Sequence, residues 1–483
     1  MSSTTKKQNE ADCDATASPH KILRLWEVVA ISVGFMGPVM AMSLNGIGVA
    51  GLVGSSVPFT FIVSFIGTLL VAYAFIRLTR YITHAGSVYA LAGSTLGPRA
   101  GFFGGFALLG TYLFFAVCIA GACGVFFEAM MAELGVALPP WSWILVPLVV
   151  AVFVLLLNVR ESTVTARTLL GIGFVGVAAM IVLSVVIIAR VASGDAPVST
   201  GVDFGALLPG DAPISAVMTA AVFGFLSWAG FESGTSLGEE TRNPKRVVPI
   251  ALLLAVVLAG VIYVLVMFAQ TIGFGTDEAG VAAFAGAAST LTTLASTYIG
   301  QWFAVLISIF AFLVAFASLL SSTAAAARLL FALARDGFGP RSFASTSAKT
   351  GVPVRSTVFV VLFTVVLAVG FGLFGATSVD VYYWFATIAV LCMVVAYGMT
   401  SIGVIRHTFR RDSIIPKWEA IIPVLGLAFL GYVYFIQIAG QQPPYTYFPW
   451  IAGVWCLLGL LTVLAKPALA DRIGSRLTIE DLD

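Results

Sequence analysis

Long apolar runs recur along the chain, and each is bounded by charged residues, proline or glycine. A helix needs about 20 apolar residues to cross the hydrocarbon core of a bilayer. The pattern therefore predicts about twelve transmembrane helices. They lie near residues 25–44, 57–76, 102–127, 142–158, 166–190, 213–240, 247–272, 299–334, 355–375, 379–405, 419–438 and 447–465. The sixth run is interrupted, and the eighth is long enough that its end near Arg335 is expected to project into the cytoplasm.

Two of these runs contain residues that break a helix in mid-membrane. The first reads VAISVGFMGPVMAMS, with Gly34, Gly37 and Pro38 near its centre. The sixth reads FGFLSWAGFESGTS, with Gly230 and the acidic Glu232. Glycine lowers the cost of leaving helical dihedral angles, and proline removes a backbone donor. Irregular backbone at that depth is tolerated where it is buried in protein or lines a wet cavity, although glycines that only permit close packing or a kink are the alternative.

The matching positions of the two breaks predict an internal repeat. We expect an all-α polytopic membrane protein with a five-plus-five inverted repeat, in which helices 1 and 6 are broken and bind the substrate. A single transmembrane domain then spans residues 21–470, with repeat one at about 21–192, repeat two at about 210–410, and helices 11 and 12 at about 417–466. Residues 1–20 lack the apolar core of a signal peptide and predict a disordered cytoplasmic tail, and 471–483 a second cytoplasmic tail.

The basic residues test this topology. With a cytoplasmic N-terminus, every one of the 25 lysines and arginines except Arg190 lies in a segment predicted to be inside. Cytoplasmic loops carry an excess of lysine and arginine, and a wrong helix count would scramble the pattern. We therefore predict a multi-pass protein of the plasma membrane with both termini in the cytoplasm.

Composition excludes several classes of protein. Charged residues make up 10% of the chain and hydrophobic residues 59%, whereas a soluble domain is roughly a quarter charged. A soluble enzyme, a nucleic-acid partner and a disordered chain are excluded, and the lipid bilayer is the expected environment. The three histidines lie in or beside cytoplasmic segments, and the five cysteines form no CxxC. We predict no enzymatic activity, no cofactor, and a monomer or homodimer. The classes of protein that remain are a secondary transporter, a channel and a non-transporting sensor.

The broken helix ends supply the chemistry of a binding site. Unpaired carbonyls make one end partly negative, and free amides make the other partly positive. A zwitterionic amino acid fits both, with its carboxylate near Gly34, Gly37 and Val39 and its ammonium near the carbonyls of the sixth helix. Trp228 and Phe231 would stack on the substrate or pack in the core. The predicted substrate-binding residues are Gly34, Gly37, Pro38, Val39, Leu226, Ser227, Trp228, Ala229, Gly230 and Phe231.

Three motifs resemble one transporter superfamily. SWAGFESGTSLGEETRNPKRVVPIA (227–251), AGSVYALAGSTLGPRAGFFGG (85–105) and ARLLFALARDGFGP (327–340) are similar to the sixth helix, first cytoplasmic loop and eighth-helix end of amino acid–polyamine–organocation transporters. The resemblance covers about 21–470. It implies the inverted-repeat fold, alternating access, and uptake or exchange of amino acids or related amines. Pro38 departs from the family's first break and removes a carboxylate donor, which favours a polyamine or other amine as the alternative substrate.

Coupling and gating have separate candidates. Glu232 is a proton relay or a counter-charge for a cationic substrate, unless it only caps the restarted half-helix. The resemblance implies a sodium site at Ser321 with carbonyls near Gly34 and Gly37, or else the serine bonds to its own helix. In some transporters of this superfamily a lysine on the fifth helix takes the place of the sodium ion. The corresponding residue here is Gly176, so the resemblance favours Na⁺ over H⁺ as the coupling ion. The gating candidates are Phe225, Tyr112, Glu239, Glu240 and Arg328.

Overall fold

The chain folds into helices throughout the part that the structure describes. A computed structural model describes residues 23–82, 87–160, 163–198, 201–238, 241–335, 337–347, 351–410, 413, 415–465, 467–469 and 471. The predicted tail at 1–20 lies outside these residues, as does the predicted tail at 471–483 except for Asp471.

Sixteen α-helices make up the described part of the chain. They are α1 Leu25–Met36, α2 Pro38–Val53, α3 Val57–Leu78, α4 Val88–Leu96, α5 Pro98–Glu133, α6 Leu145–Arg160, α7 Thr163–Ser193, α8 Ile214–Leu226, α9 Pro244–Phe274, α10 Glu278–Gly286, α11 Thr290–Tyr298, α12 Gln301–Arg335, α13 Val354–Leu373, α14 Ser378–Thr408, α15 Ile421–Ile438 and α16 Phe448–Ala465. A 3₁₀ segment, Phe231–Leu237, follows α8.

The predicted membrane-spanning runs are confirmed. Ten helical stretches of the described residues are long and apolar enough to cross a membrane. One of them, Leu25–Leu78, contains the first two predicted spans, and the interrupted sixth span supplies the shorter apolar helix α8. The predicted long eighth span is α12, whose 35 residues extend about 52 Å and so exceed a hydrocarbon core of about 30 Å. The short helices α4, α10 and α11 were not predicted.

Helix contacts follow the pattern expected of two five-helix halves. Exchanging one half for the other pairs α3 with α9, α5 with α12, α6 with α13 and α7 with α14. The packing of α5 along α14 then corresponds to the packing of α12 along α7, and both contacts are present. The exchanged partners α3 and α9, and likewise α6 and α13, also touch each other. The all-α polytopic fold is therefore confirmed, with α15 and α16 outside the two halves.

The centre of the bundle is α5. Its most apolar 18-residue window is 100% buried, and that of α14 is 78% buried. The peripheral helices expose large apolar side chains instead, such as Val366 on α13 at 65% and Leu464 on α16 at 67%. Such exposure would be costly in water but suits hydrocarbon, where the backbone is satisfied inside each helix. The surface of the bundle is thus built to face lipid.

Candidate functional site

The first break lies at Gly37. This residue has φ 60° and ψ 60°, which is a left-handed conformation that glycine adopts at little cost. Its amide donates to the carbonyl of Gly34 at 3.3 Å, and α2 begins at once with Pro38. Proline has no amide hydrogen, so the donors that a helix start leaves free are those of Val39 and Met40.

The second break runs from Ser227 to Gly230. Helix α8 ends at Leu226, and the chain restarts after Gly230 as a 3₁₀ segment rather than the α-helix that the sequence suggested. Gly230 has φ +92°, and a Cβ added there would lie 1.9 Å from Cδ1 of Phe35. The ring of Phe35 therefore rests on the backbone of the second break. Both predicted breaks are present, and they touch each other.

Glu232 lies directly after the second break and is 1% exposed. The Tyr112 hydroxyl of α5 donates to Oε1 of Glu232 at 3.0 Å, and the Tyr397 hydroxyl of α14 donates to Oε2. Within the described residues, no lysine or arginine forms an ion pair with this carboxyl. Two phenols on the central helices thus hold a buried carboxyl, and no basic side chain of the described residues pairs with it.

A cavity of about 970 Å³ opens on one side of the first break. It lies among α1, α7, α9 and α12, and its wall includes Trp26, Gly34, Phe35, Pro38, Ser321 and Arg328. The ring of Phe35 stands between this cavity and the Glu232 carboxyl, because it lies 5.8 Å from the ring of Tyr112 on its other side. Trp26 and Arg328 are exposed residues of the cavity wall.

The structure brings some predicted residues to the cavity and directs others into the core. Gly34, Pro38, Ser321 and Arg328 reach the cavity wall, and Tyr112 reaches Glu232. Leu226 and Ala229 are buried at the second break, and Val39 is fully buried. Glu239 and Glu240 lie outside the described residues.

The aromatic candidates of the sixth helix pack against neighbouring helices. Trp228 stacks on Phe65 with ring centroids 6.0 Å apart, and its indole donates to the carbonyl of Val256 at 3.3 Å. Phe231 meets the edge of Phe75. Phe225 meets Phe429 of α15 at 5.7 Å. In this conformation the three rings pack against neighbouring helices, which agrees with the packing alternative for Trp228 and Phe231, whereas gating by Phe225 stays a prediction.

The hydroxyls of α12 divide between two roles. Ser321 is exposed to the cavity, and its hydroxyl donates to the carbonyl of Ala317 in its own helix at 2.9 Å. Ser318, one turn earlier, is buried and donates to the carbonyl of Phe35 at 2.9 Å. The first break therefore frees a carbonyl that α12 satisfies directly. Gly176 of α7 lies against Val39, since its added Cβ would be 3.2 Å from Cγ2 of Val39.

Sequence reasoning missed three residues of this region. Phe35 gave no signal, because one phenylalanine in an apolar run is ordinary. Tyr397 lies on the tenth span, and no motif connects it to Glu232. Asn45 had a usable signal, because a side-chain amide in an apolar membrane helix is costly unless it has partners.

The comparisons with known proteins agree with this geometry. Residues 23–461 match the family model described as amino acid permease. The chain is 28% identical over 365 residues to the low-affinity putrescine importer PlaP of Escherichia coli strain K12, which covers 74% of this chain and 76% of that protein. It is 23% identical over 379 residues to the branched-chain amino acid permease BcaP of Bacillus subtilis, with 74% and 77% covered.

A bundle of membrane-spanning helices with two broken helices that meet beside a buried carboxyl defines a solute transporter. The chain belongs to the amino acid permease family. The resemblance noted from its three motifs is thus confirmed, and the protein is a multi-pass membrane transporter of amino acids or amines. This family is one of permeases and not a class of enzymes.

Proposed function

We propose that this protein is a secondary active importer of a small organic amine, which it binds as a cation between the two broken helices. The observation that carries this proposal is the Glu232 carboxyl, which is 1% exposed and has two hydroxyl partners. A buried carboxylate is costly unless a cation pairs with it. A substrate ammonium supplies that cation.

The first break supports the same substrate class. A zwitterionic amino acid needs amide donors for its carboxylate, and Pro38 removes one of them. An amine without a carboxylate needs no such donor. The similarity to a putrescine importer over 74% of the chain favours an amine as well.

A neutral amino acid is the second candidate. The amides of Val39 and Met40 at the start of α2 favour it, because a helix N-terminus attracts a carboxylate. The similarity to a branched-chain amino acid permease agrees with this alternative.

We infer that the cavity faces the cytoplasm. Its wall includes Arg328, which belongs to the segments that the positive-inside rule assigns to the cytoplasm. The protein would then lie in the plasma membrane with both termini inside, in an inward-facing state. Phe35 would have to move before a substrate in this cavity could reach Glu232. The oligomeric state, a monomer or a homodimer, stays a prediction.

The coupling ion is also a proposal. Ser321 and the carbonyls near Gly34 and Gly37 offer oxygen ligands, which suit Na⁺, and Ser321 lines the cavity. Glu232 would carry a proton in the alternative. If Na⁺ is the coupling ion, replacement of sodium by choline at fixed pH should lower uptake. Uptake that does not depend on sodium and is abolished by a protonophore would decide for the proton.

A thermal-shift screen of the purified protein tests the substrate class. A ligand at one hundred times its Kd stabilises the folded state by about 2.7 kcal/mol. We expect diamines and monoamines to raise the melting temperature, and neutral amino acids to raise it less. Stabilisation by amino acids alone would replace the amine proposal with the second candidate. Stabilisation by neither class would contradict both.

A further inference from the structure

Helix α2 is held by side chains from several other helices over a single turn. Gln270 of α9 donates to the carbonyl of Met42 at 2.9 Å. Thr290 of α11 donates to the carbonyls of Met42 and Ser43 at 3.2 and 3.1 Å. Tyr383 of α14 donates to the carbonyl of Leu44 at 2.5 Å. These contacts lie beyond the first break, on the side of it away from Trp26.

Asn45 follows in the same turn and uses both ends of its side-chain amide. Its Nδ2 donates to Oγ of Ser227 at 2.8 Å, and its Oδ1 accepts from the Tyr382 hydroxyl at 2.7 Å. Ser227 directly follows Leu226, the last residue of α8, and its own hydroxyl donates to the carbonyl of Phe223. The hydrogen bonds therefore form one directional chain from α14 through α2 to α8. We call Asn45, Ser227 and Tyr382 the Asn45 cluster.

The three residues of the Asn45 cluster are buried. Asn45 is 1% exposed, Ser227 0% and Tyr382 2%. An unpaired polar group at such a place costs more than the bond that it loses, so the three residues hold one another strongly while they are buried. Among these contacts to α2, the Asn45 cluster is the one that joins both broken helices to α14 through side chains alone.

We propose that Asn45 closes the end of the transporter opposite the cavity, and that breaking the Asn45 cluster is the step that opens that end. In alternating access, α2 must move from α14 to admit a substrate. The amide of Asn45 ties α2 to α14 and to α8 at once, so its hydrogen bonds set the balance between the two states. Asn45 acts on the gate as a positioning residue. The inference concerns the transport cycle and holds for an amine or an amino acid as substrate.

Thiol labelling of purified protein in nanodiscs tests this role, because both ends are then accessible to the reagent. The reporters are single cysteines in a background without the native ones. Ala41→Cys reports on the closed end, since Ala41 is 2% exposed and lies one turn from Asn45 on the same face of α2. Ala324→Cys reports on the cavity, whose wall includes Ala324. No substrate is needed, so the outcome does not depend on the proposed substrate class.

We expect Asn45→Ala to raise the labelling rate at position 41 by about tenfold, and Tyr382→Phe to raise it by about threefold because one bond survives. The rate at position 324 should not rise in either variant. Thr271→Val is the matched control, because the Thr271 hydroxyl is buried on α9 beside Gln270 and, among the described residues, bonds to Met267 of its own helix alone. It should leave both rates unchanged.

Two outcomes would overturn the proposal. If Asn45→Ala left the rate at position 41 at its original value, the Asn45 cluster would not hold the closed end. If the rates at positions 41 and 324 rose together, Asn45 would be an ordinary buried amide whose loss loosens the whole bundle. Circular dichroism of each variant separates the second outcome from unfolding.

Discussion

At the scale of single residues, the contact between Gly230 and Phe35 fixes the geometry of the site. The positive φ of Gly230 admits no β-branched residue without strain, and its missing Cβ leaves the space that the ring of Phe35 fills. Glu232 reaches its two phenols only because the chain turns sharply at this point. The site thus depends on the absence of a side chain as much as on a carboxyl.

Gly230→Val should therefore abolish ligand binding while the protein still reaches the membrane. A Cβ at 1.9 Å from the ring of Phe35 forces either the ring or the break to move. Binding of the ligand that stabilises the wild type best, measured by scintillation proximity, gives the readout. Gly431→Val on α15 is the control, because a Cβ there meets no atom within 4 Å. Normal binding by Gly230→Val would mean that the break has no part in the site.

The same residues show what a sequence can reveal about a site. Glycine, proline and a carboxyl in mid-membrane carry their own signal, since each is costly there, and they located both breaks and Glu232. The partners of Glu232 carry no signal that connects them with it, although Tyr112 is one of the predicted gating residues. Tyr112 and Tyr397 lie on two distant helices, and only the packing of α5 against α14 brings their hydroxyls together. Trp228 carries a signal that fits two roles, because an aromatic residue beside a break can stack on a substrate or, as it does here, on Phe65.

At the scale of elements, α15 is attached to the repeat by a charged contact. The guanidinium of Arg77 on α3 donates to the Glu419 carboxylate just before α15, and Tyr73 donates to the same carboxylate. The side chains are 18% and 9% exposed, so neither charge is fully hydrated. Removal of one partner leaves the other charge half-buried and unpaired.

Glu419→Gln should accordingly destabilise the protein by about 1–3 kcal/mol. The melting temperature in detergent, followed by size-exclusion chromatography, should fall by a few degrees. Arg77→Gln should have a similar effect, and the double variant should lose less than the sum of the two, because the pair is then absent from both sides. Strictly additive losses would show that the ion pair contributes nothing.

The sequence predicted the long helices better than the short ones. Every long apolar run became a helix, because a membrane leaves the backbone of such a run no other partner. The short helices α10 and α11 have nine residues each, which is too few for the apolar period to stand out. The restart of the sixth helix as a 3₁₀ segment could not be foreseen either, since the packing around Phe231–Leu237 sets its pitch.

At the scale of the whole molecule, the helix bundle is open at one end and closed at the other. The cavity ends at Phe35, and the Asn45 cluster closes the far side. The distribution of lysine and arginine predicts that the open end of the bundle faces the cytoplasm.

Single cysteines test the orientation in intact cells. Positions 137, 198 and 282 should react with a membrane-impermeant maleimide, because these exposed residues lie in connections predicted to be outside. Positions 245 and 342 are exposed as well, and should react only after the cells are opened. The reverse pattern would turn the bundle around and make the cavity face outward.

The central claim is that Glu232 pairs with a cationic amine, and Glu232→Gln tests it most directly because it keeps the shape of the side chain and removes its charge. Equilibrium binding of putrescine to the purified variant should fall by about a hundredfold or more, about 2.7 kcal/mol, since a buried ammonium loses its counter-charge. Glu128→Gln on α5, whose carboxyl accepts from Ser378 far from the breaks, should bind putrescine as the wild type does. Putrescine binding by Glu232→Gln within about tenfold of the wild type would contradict the account.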